Sequence, residues 1–218
     1  MKINLSLDSV QDEQLPLLNR IVDNLASTGY VVIDDLLNLE DAQKIKNRLL
    51  QLKGEDEFKK SGIGKAAMLQ VNESIRGDFI RWIESDDLHP SLAVYYQLIA
   101  ALMAYSNRHL YLNLKDIESH YTYYPAGNGY IKHRDRFRDK PHRVLSLVYY
   151  LNDNWQAGDG GELEVYNNSN KKLHTIEPTM NRLVLFKSEM IHAVLPSIKA
   201  RYSLTTWLLD KEKELSFL

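Results

Sequence analysis

His133-Arg134-Asp135 places an imidazole and a carboxylate two positions apart. Residues i and i+2 of a strand face the same side, so both groups can reach one ion. His192, at the start of a later β-type run, can add a third ligand from across a barrel. Two imidazoles and one carboxylate suit ferrous iron and leave three coordination positions open. The triplet alone carries little weight. Seven His and 16 Asp in 218 residues yield about one His-x-Asp triplet per two such chains by chance. His89, His109, His120, His142 and His174 read as exposed or core groups rather than ligands.

The last β-type run gives the triplet its weight. In Arg201-Tyr202-Ser203-Leu204-Thr205-Thr206-Trp207-Leu208-Leu209 one face carries Arg201, Ser203, Thr205 and Trp207. The other carries Tyr202, Leu204, Thr206 and Leu208. A guanidinium near a metal suits a dicarboxylate that chelates at one end and forms an ion pair at the other. In Val144–Leu151 the face holding Val144, Ser146 and Val148 ends in the hydroxyl of Tyr150. Tyr124 shares a face with His120 and Thr122.

Composition narrows the chemistry from outside. Zero Cys removes disulfides, thiolate metal sites and thiol nucleophiles together. With 27 Lys+Arg against 29 Asp+Glu the net charge is −2, which gives no overall pull toward nucleic acid. A local basic run, Lys132, Arg134, Arg136, Arg138, Lys140 and Arg143, keeps an acidic peptide or a nucleic acid in view as a rim partner. The first residues lack an apolar signal core, and the longest mostly apolar run, Leu92 to Tyr105, is too short to cross a bilayer. A cytoplasmic protein with no membrane partner is expected.

These residues need a scaffold, and the periodicity supplies one. Leu15, Leu18, Ile21, Val22 and Leu25 recur at helical spacing and stop at Gly29. Tyr30–Ile33 reads as a strand. Asn38 and Asp41 start a second helix carrying Ala42, Ile45, Leu49 and Leu52, and Pro90 opens a third, running to about Arg108. Gly54 to Gly64 reads as a mobile loop. After residue 118 the period becomes two, with runs at 120–124, 130–133, 144–151, 162–166, 173–177, 182–186, 192–195 and 202–209. Eight short strands at this spacing predict a jelly roll braced by the helices, an α+β fold in one domain over 1–218. Its helical part covers about 1–115 and its β core about 118–210.

Several stretches taken together are similar to a known family. Tyr124-Pro125, Gly129-Tyr130-Ile131-Lys132-His133-Arg134-Asp135, Val148-Tyr149-Tyr150-Leu151-Asn152-Asp153-Asn154-Trp155, Gly160-Gly161-Glu162-Leu163, Ile176-Glu177-Pro178, His192-Ala193-Val194 and Arg201–Trp207 resemble the Fe(II)- and 2-oxoglutarate-dependent prolyl 4-hydroxylases. Ile75-Arg76-Gly77-Asp78 and Trp82-Ile83-Glu84 match the Egl-nine branch, the hypoxia-inducible-factor prolyl hydroxylases. The similarity spans roughly residues 65–210. The animal enzymes' zinc-binding module has no counterpart here, which points to a bacterial relative.

The resemblance implies a double-stranded β-helix with iron held by His133, Asp135 and His192. It implies that Arg201 binds the distal carboxylate of 2-oxoglutarate with help from Tyr150, that Tyr124 also touches the cosubstrate, and that Thr205 lies close by. Tyr130 and Trp207 would line the pocket for the target proline. Arg76, Asp78 and Arg143 would sit at the rim, with an Asp78–Arg143 ion pair tying the loop to the barrel. Alternation places Arg143 on the face opposite Tyr150, so that role rests on the resemblance alone. The implied reaction hydroxylates C4 of a prolyl residue in a protein, using dioxygen and converting 2-oxoglutarate to succinate, with ascorbate as a possible reductant.

Three other readings share these residues. Free proline or another small molecule could replace the protein, although Gly54–Asn72 reads as a lid for a polypeptide. Nucleic-acid demethylases on this scaffold carry an Arg-x5-Arg pair in the last strand, where this chain has Trp207. A jelly roll that only binds would leave Arg201, Tyr150 and the three ligands without a reason to coincide.

Overall fold

The computed structural model describes residues 10–61, 75–84, 89–137 and 139–212. Three α-helices lie in the N-terminal half. Helix α1 (Leu15–Ser27) buries Leu18, Ile21, Val22 and Leu25 on one stripe. It stops where Gly29 takes a left-handed φ of 83°, which a side chain would resist. Helix α2 (Leu39–Gly54) is capped by Asn38, whose side chain accepts from the Asp41 amide at 2.9 Å. A 3-10 turn at Pro90–Leu92 leads into α3 (Ala93–Leu110), buried along most of its length.

The strands are β1 (Tyr30–Ile33), β2 (Lys59–Lys60), β3 (Phe79–Trp82), β4 (Asp116–Tyr124), β5 (Tyr130–His133), β6 (Arg143–Tyr150), β7 (Leu163–Tyr166), β8 (Lys172–Ile176), β9 (Leu183–Lys187), β10 (Ile191–Val194) and β11 (Arg201–Leu209). All eight β-type runs after residue 118 are strands. They form a seven-stranded sheet, β1-β9-β6-β11-β4-β3-β2, and a four-stranded sheet, β5-β10-β7-β8, paired antiparallel throughout. The N-terminal part is less purely helical than expected, because beside the expected β1 it lends β2 and β3 to the large sheet. Lys59–Lys60 therefore lie in a strand inside the expected Gly54–Gly64 loop. Most of the expected lid, and Arg138, lie outside the described residues.

The large sheet has a core on each face, and that arrangement orients the site. Leu145, Leu147, Tyr149, Leu183, Leu185, Leu204 and Leu208 pack outward on the helices. Tyr95 on α3 donates a hydrogen bond to Thr206 at 3.0 Å, tying that helix to the back of β11. Tyr124, Tyr150, Val184 and Phe186 point inward and meet Leu163, Val165, Ile176 and Val194 of the small sheet. Strict alternation then delivers Arg201, Ser203, Thr205 and Trp207 to the space between the sheets.

One strand departs from alternation. The pairing of β11 with β6 runs Leu208 to Leu145 and then Leu209 to Arg143, skipping Val144. This bulge turns Val144 onto the helix-side core and brings Arg143 to the wall of the inter-sheet cleft. The expectation that Arg143 lies opposite the Tyr150 face is therefore wrong, because strict alternation ends at the bulge.

Candidate active site

The sheets open on a cleft of about 970 Å³. His133 at the end of β5 and His192 on β10 are register partners, so pairing of the small sheet brings the two imidazoles together. Asp135 follows on the loop after β5. Its backbone amide donates to the Ser188 carbonyl at 3.0 Å, which fixes the loop against the end of β9. One ligand atom from each of the three side chains lies within 4.8 Å of the others.

Each imidazole is held in one tautomer. His133 Nδ1 lies 2.7 Å from the Ile131 carbonyl, and His192 Nδ1 lies 3.0 Å from the Met190 carbonyl. A carbonyl only accepts, so both Nδ1 atoms carry the proton and both Nε2 lone pairs are free. These Nε2 atoms stand 3.8 Å and 3.6 Å from the two oxygens of Asp135. Burial, then the neighbouring His192, pushes the His133 imidazole down to about 3, so it stays neutral and able to ligate. Burial alone would raise the Asp135 carboxyl. The two His and the Ser146 hydroxyl outweigh it and hold Asp135 well below the usual carboxylate range.

Ser146 and Ser188 escaped the sequence reading. Ser146 donates to Asp135 Oδ2 at 2.7 Å, and Ser188 stands 2.8 Å behind Ser146. The available signal was the position of Ser146 on the Tyr150 face of β6.

Arg201 is 2 % exposed, and its Nε donates to the Gly161 carbonyl at 2.9 Å. Gly161 has φ of 71°, and a Cβ there would meet the Arg201 Cδ at 3.2 Å. The Arg201 guanidinium lies 5.2 Å from the Tyr124 ring centroid and 4.8 Å from that of Tyr150. Tyr124 lines the cleft, whereas Tyr150 sits fully buried behind Arg201. Burial pushes the Tyr150 hydroxyl up, and the Arg201 charge opposes that. Thr205 is on the wall, 3.4 Å from the Thr122 hydroxyl.

Tyr130 stacks on His133 at 3.5 Å between centroids, and the Arg76 guanidinium lies 5.0 Å from the Tyr130 ring centroid. Trp207 carries Arg143 3.4 Å above its ring. The expected Asp78–Arg143 pair is absent among the described residues. Asp78, 1 % exposed, binds Arg76 through two contacts at 2.6 and 2.9 Å. Arg143 binds Glu118 instead, at 2.7 and 3.1 Å. The reason is register: Glu118 is the cross-strand partner of Trp207, and the bulge sets Arg143 over the same ring.

This donor set fits ferrous iron with a chelating dicarboxylate. The metal ligands are two imidazoles that present Nε2 and an ionised carboxylate, all N or O donors. Among the described residues, Arg201 Nη2 and the Tyr150 hydroxyl are buried without a hydrogen-bond partner. Such a loss is tolerated where a ligand supplies the missing acceptor.

Comparison with known proteins agrees with this chemistry. Residues 119–209 match the 2OG-Fe(II) oxygenase superfamily model. A solved Pseudomonas putida prolyl-4-hydroxylase is 34 % identical with a TM-score of 0.80, covering 90 % of this chain and 100 % of that one. A Trichoplax adhaerens prolyl hydroxylase, solved with a hypoxia inducible factor oxygen degradation domain peptide fragment, is 31 % identical with a TM-score of 0.80, covering 93 % and 96 %. Human prolyl hydroxylase EGLN3 is 28 % identical over a 203-residue alignment that covers 90 % of this chain and 84 % of that protein. The chain spans only 47 % of human Egl nine homolog 1, to which it is 29 % identical. Similarity over the whole length of a solved relative, with the two His and the Asp meeting within the matched residues, shows that the chain belongs to the prolyl 4-hydroxylase family of the 2OG-Fe(II) oxygenase superfamily.

Proposed function

We propose that residues 1–218 form one dioxygenase domain that hydroxylates C4 of a prolyl residue in a protein substrate. The observation that carries this reading is the convergence of His133, Asp135 and His192 on the cleft that also holds the buried Arg201. The two solved prolyl hydroxylases with matching folds support it.

Ferrous iron with 2-oxoglutarate supplies the oxidising chemistry, in which dioxygen is consumed, succinate and carbon dioxide are formed, and one oxygen atom enters the substrate C–H bond. The chain's work is geometric. His133, Asp135 and His192 would hold the metal on one side, leaving three positions for cosubstrate and dioxygen. Arg201, braced by Gly161 and by the Tyr124 and Tyr150 rings, would hold the distal carboxylate at the closed end of the cleft. Thr205 lies between that end and Trp207. Tyr130 and Trp207 would face the target ring, with Arg76, Asp78 and Arg143 at the rim. Burial of these groups keeps water from the reacting atoms.

Ascorbate, as the reductant that restores ferrous iron, and a cytoplasmic setting belong to the same proposal. A chain without Cys needs no oxidising compartment. Among the described residues no helix is long and apolar enough to cross a membrane.

Anaerobic addition of Fe(II) and then 2-oxoglutarate tests the metal site through the visible metal-to-ligand charge-transfer band. Absence of the band in the wild type sinks the dioxygenase reading. Mass spectrometry of lysates incubated with the enzyme then seeks one added oxygen on proline. Oxygen added only to free proline would remove the protein substrate.

A further inference from the structure

His120 is a histidine that the proposed mechanism does not use, and it lies in the wall of the same cleft. It is 2 % exposed, between Thr205 on β11 and Trp82 on β3 in the sheet register. Its ring centroid is 4.9 Å from that of Trp82 and 5.1 Å from that of Trp207. Its Nδ1 lies 2.8 Å from the Thr122 hydroxyl and 3.3 Å from the Tyr121 carbonyl. Among the described residues its Nε2 is buried and has no partner. Most buried side-chain nitrogens have a partner, so an open one in a cleft wall calls for a ligand.

Position decides which ligand this nitrogen faces. Tyr124 pairs with Arg201 at the closed end, and His120 is four residues away on the same strand, about 13 Å. That distance takes it past the reach of the distal carboxylate and into the company of Trp82, Trp207 and Arg143. Two contacts bear on the tautomer: the Tyr121 carbonyl at 3.3 Å accepts only from an Nδ1–H, whereas the Thr122 hydroxyl at 2.8 Å can donate to a bare Nδ1. Thr122 also sits 3.4 Å from the Thr205 hydroxyl, a contact in which either hydroxyl can be the donor. With Thr122, the shorter of the two contacts, donating to Nδ1, Nε2 carries the imidazole hydrogen and is a donor. Burial, with Arg76 and Arg143 nearby, holds the imidazole down to about 3 and so keeps it neutral.

A prolyl segment calls for such a donor. Proline has no backbone N–H, so the polar atoms beside its ring are carbonyl oxygens, its own and that of the preceding residue. The rim guanidiniums are already engaged, Arg76 with Asp78 and Arg143 with Glu118.

We propose that His120 is a substrate-specificity residue whose Nε2–H donates to a main-chain carbonyl of the bound prolyl segment. This rests on the prolyl reading, but part of its test does not. Long-range proton–nitrogen NMR on protein labelled with 15N-histidine, loaded with Zn(II) in place of iron and with 2-oxoglutarate, reads the tautomer without substrate. The Nε2–H form is expected; the Nδ1–H form overturns the proposal whatever the substrate proves to be. Titration with a capped Ala-Ala-Pro-Ala-Ala peptide then shifts the His120 Nε2–H resonance, and an unmoved resonance overturns it. His120→Leu removes the donor, and His120→Gln restores a donor near the Nε2 position. The peptide dissociation constant rises about tenfold in the Leu variant and returns most of the way in the Gln variant. The constant for 2-oxoglutarate changes much less. Equal weakening of both ligands, or no recovery with Gln, assigns His120 to packing instead. A failure of the prolyl reading is separate: it shows as 2-oxoglutarate consumption by the wild type with no oxygen added to any proline.

Discussion

The Ser146 hydroxyl donates to Asp135 Oδ2 at 2.7 Å, which leaves Oδ1 as the freer oxygen toward His133. Because Ser146 donates to the carboxylate, Ser188 must donate to Ser146 across 2.8 Å. The pair holds the carboxylate at one rotation and keeps it ionised. Groups that orient a metal ligand in this way typically contribute 10- to 100-fold to metal affinity. Ser146→Ala is therefore expected to weaken Fe(II) binding by about 10-fold or more, measured by competition with a calibrated chelator. Unchanged affinity would show that the loop backbone alone positions Asp135.

Arg201 tests the other end of the cleft. Its Nε is committed to Gly161, so the remaining guanidinium nitrogens are the ones free for a carboxylate. Arg201→Ala is expected to raise the KM for 2-oxoglutarate by about 100-fold, the loss of a charge-assisted pair in a dry site. Fe(II) binding should survive, because no metal ligand touches Gly161 or Arg201 in the contacts described. Equal loss of both ligands would mean that the variant has collapsed the cleft rather than removed one interaction.

Legibility follows the physics of each element. The two-residue period of β11 sorted Arg201, Ser203, Thr205 and Trp207 from Leu204 and Leu208 because nothing interrupts that strand. The same rule failed at Arg143, since one skipped residue at Val144 reverses the side and leaves no mark in composition. His133 and Asp135 were visible as a local triplet, but His192 joins them only through strand pairing between distant segments. Ser146, Glu118 and His120 stayed hidden for a related reason. Each acts through a partner that the fold, not the sequence interval, brings near. The lid expected over Gly54–Asn72 lies mostly outside the described residues, so its role stays a proposal.

The exchange of ion-pair partners gives a third test. Arg143 and Glu118 side chains are 9 % and 17 % exposed, so their pair is only partly screened. A double-mutant cycle with Arg143→Met and Glu118→Gln should return a coupling of about 1–2 kcal/mol in urea unfolding. The cycle pairing Arg143→Met with Asp78→Asn should return about 0–0.5 kcal/mol, as for sites that share no partner. Reversed values would restore the Asp78–Arg143 contact as the native pair.

Acid sensitivity of the metal-free protein supplies the last test, and its sign follows from burial. His120 has an ordinary imidazole value of 6.5 when unfolded and about 3 when folded, chiefly because burial disfavours the cation. Between those values the unfolded chain binds the extra proton and the folded chain does not. Stability therefore falls as pH falls through that window and is level above it. At pH 4.5 the gap is about two pH units, equivalent to about 2–3 kcal/mol. His120→Gln cannot take up this proton, while His133 titrates in the same direction in both proteins and cancels. Urea unfolding at pH 7.5 and 4.5 should show the wild type losing about 2–3 kcal/mol more than the variant. Parallel losses would mean that His120 is protonated in the folded protein at pH 4.5, and the neutral donor assigned to it would fail there.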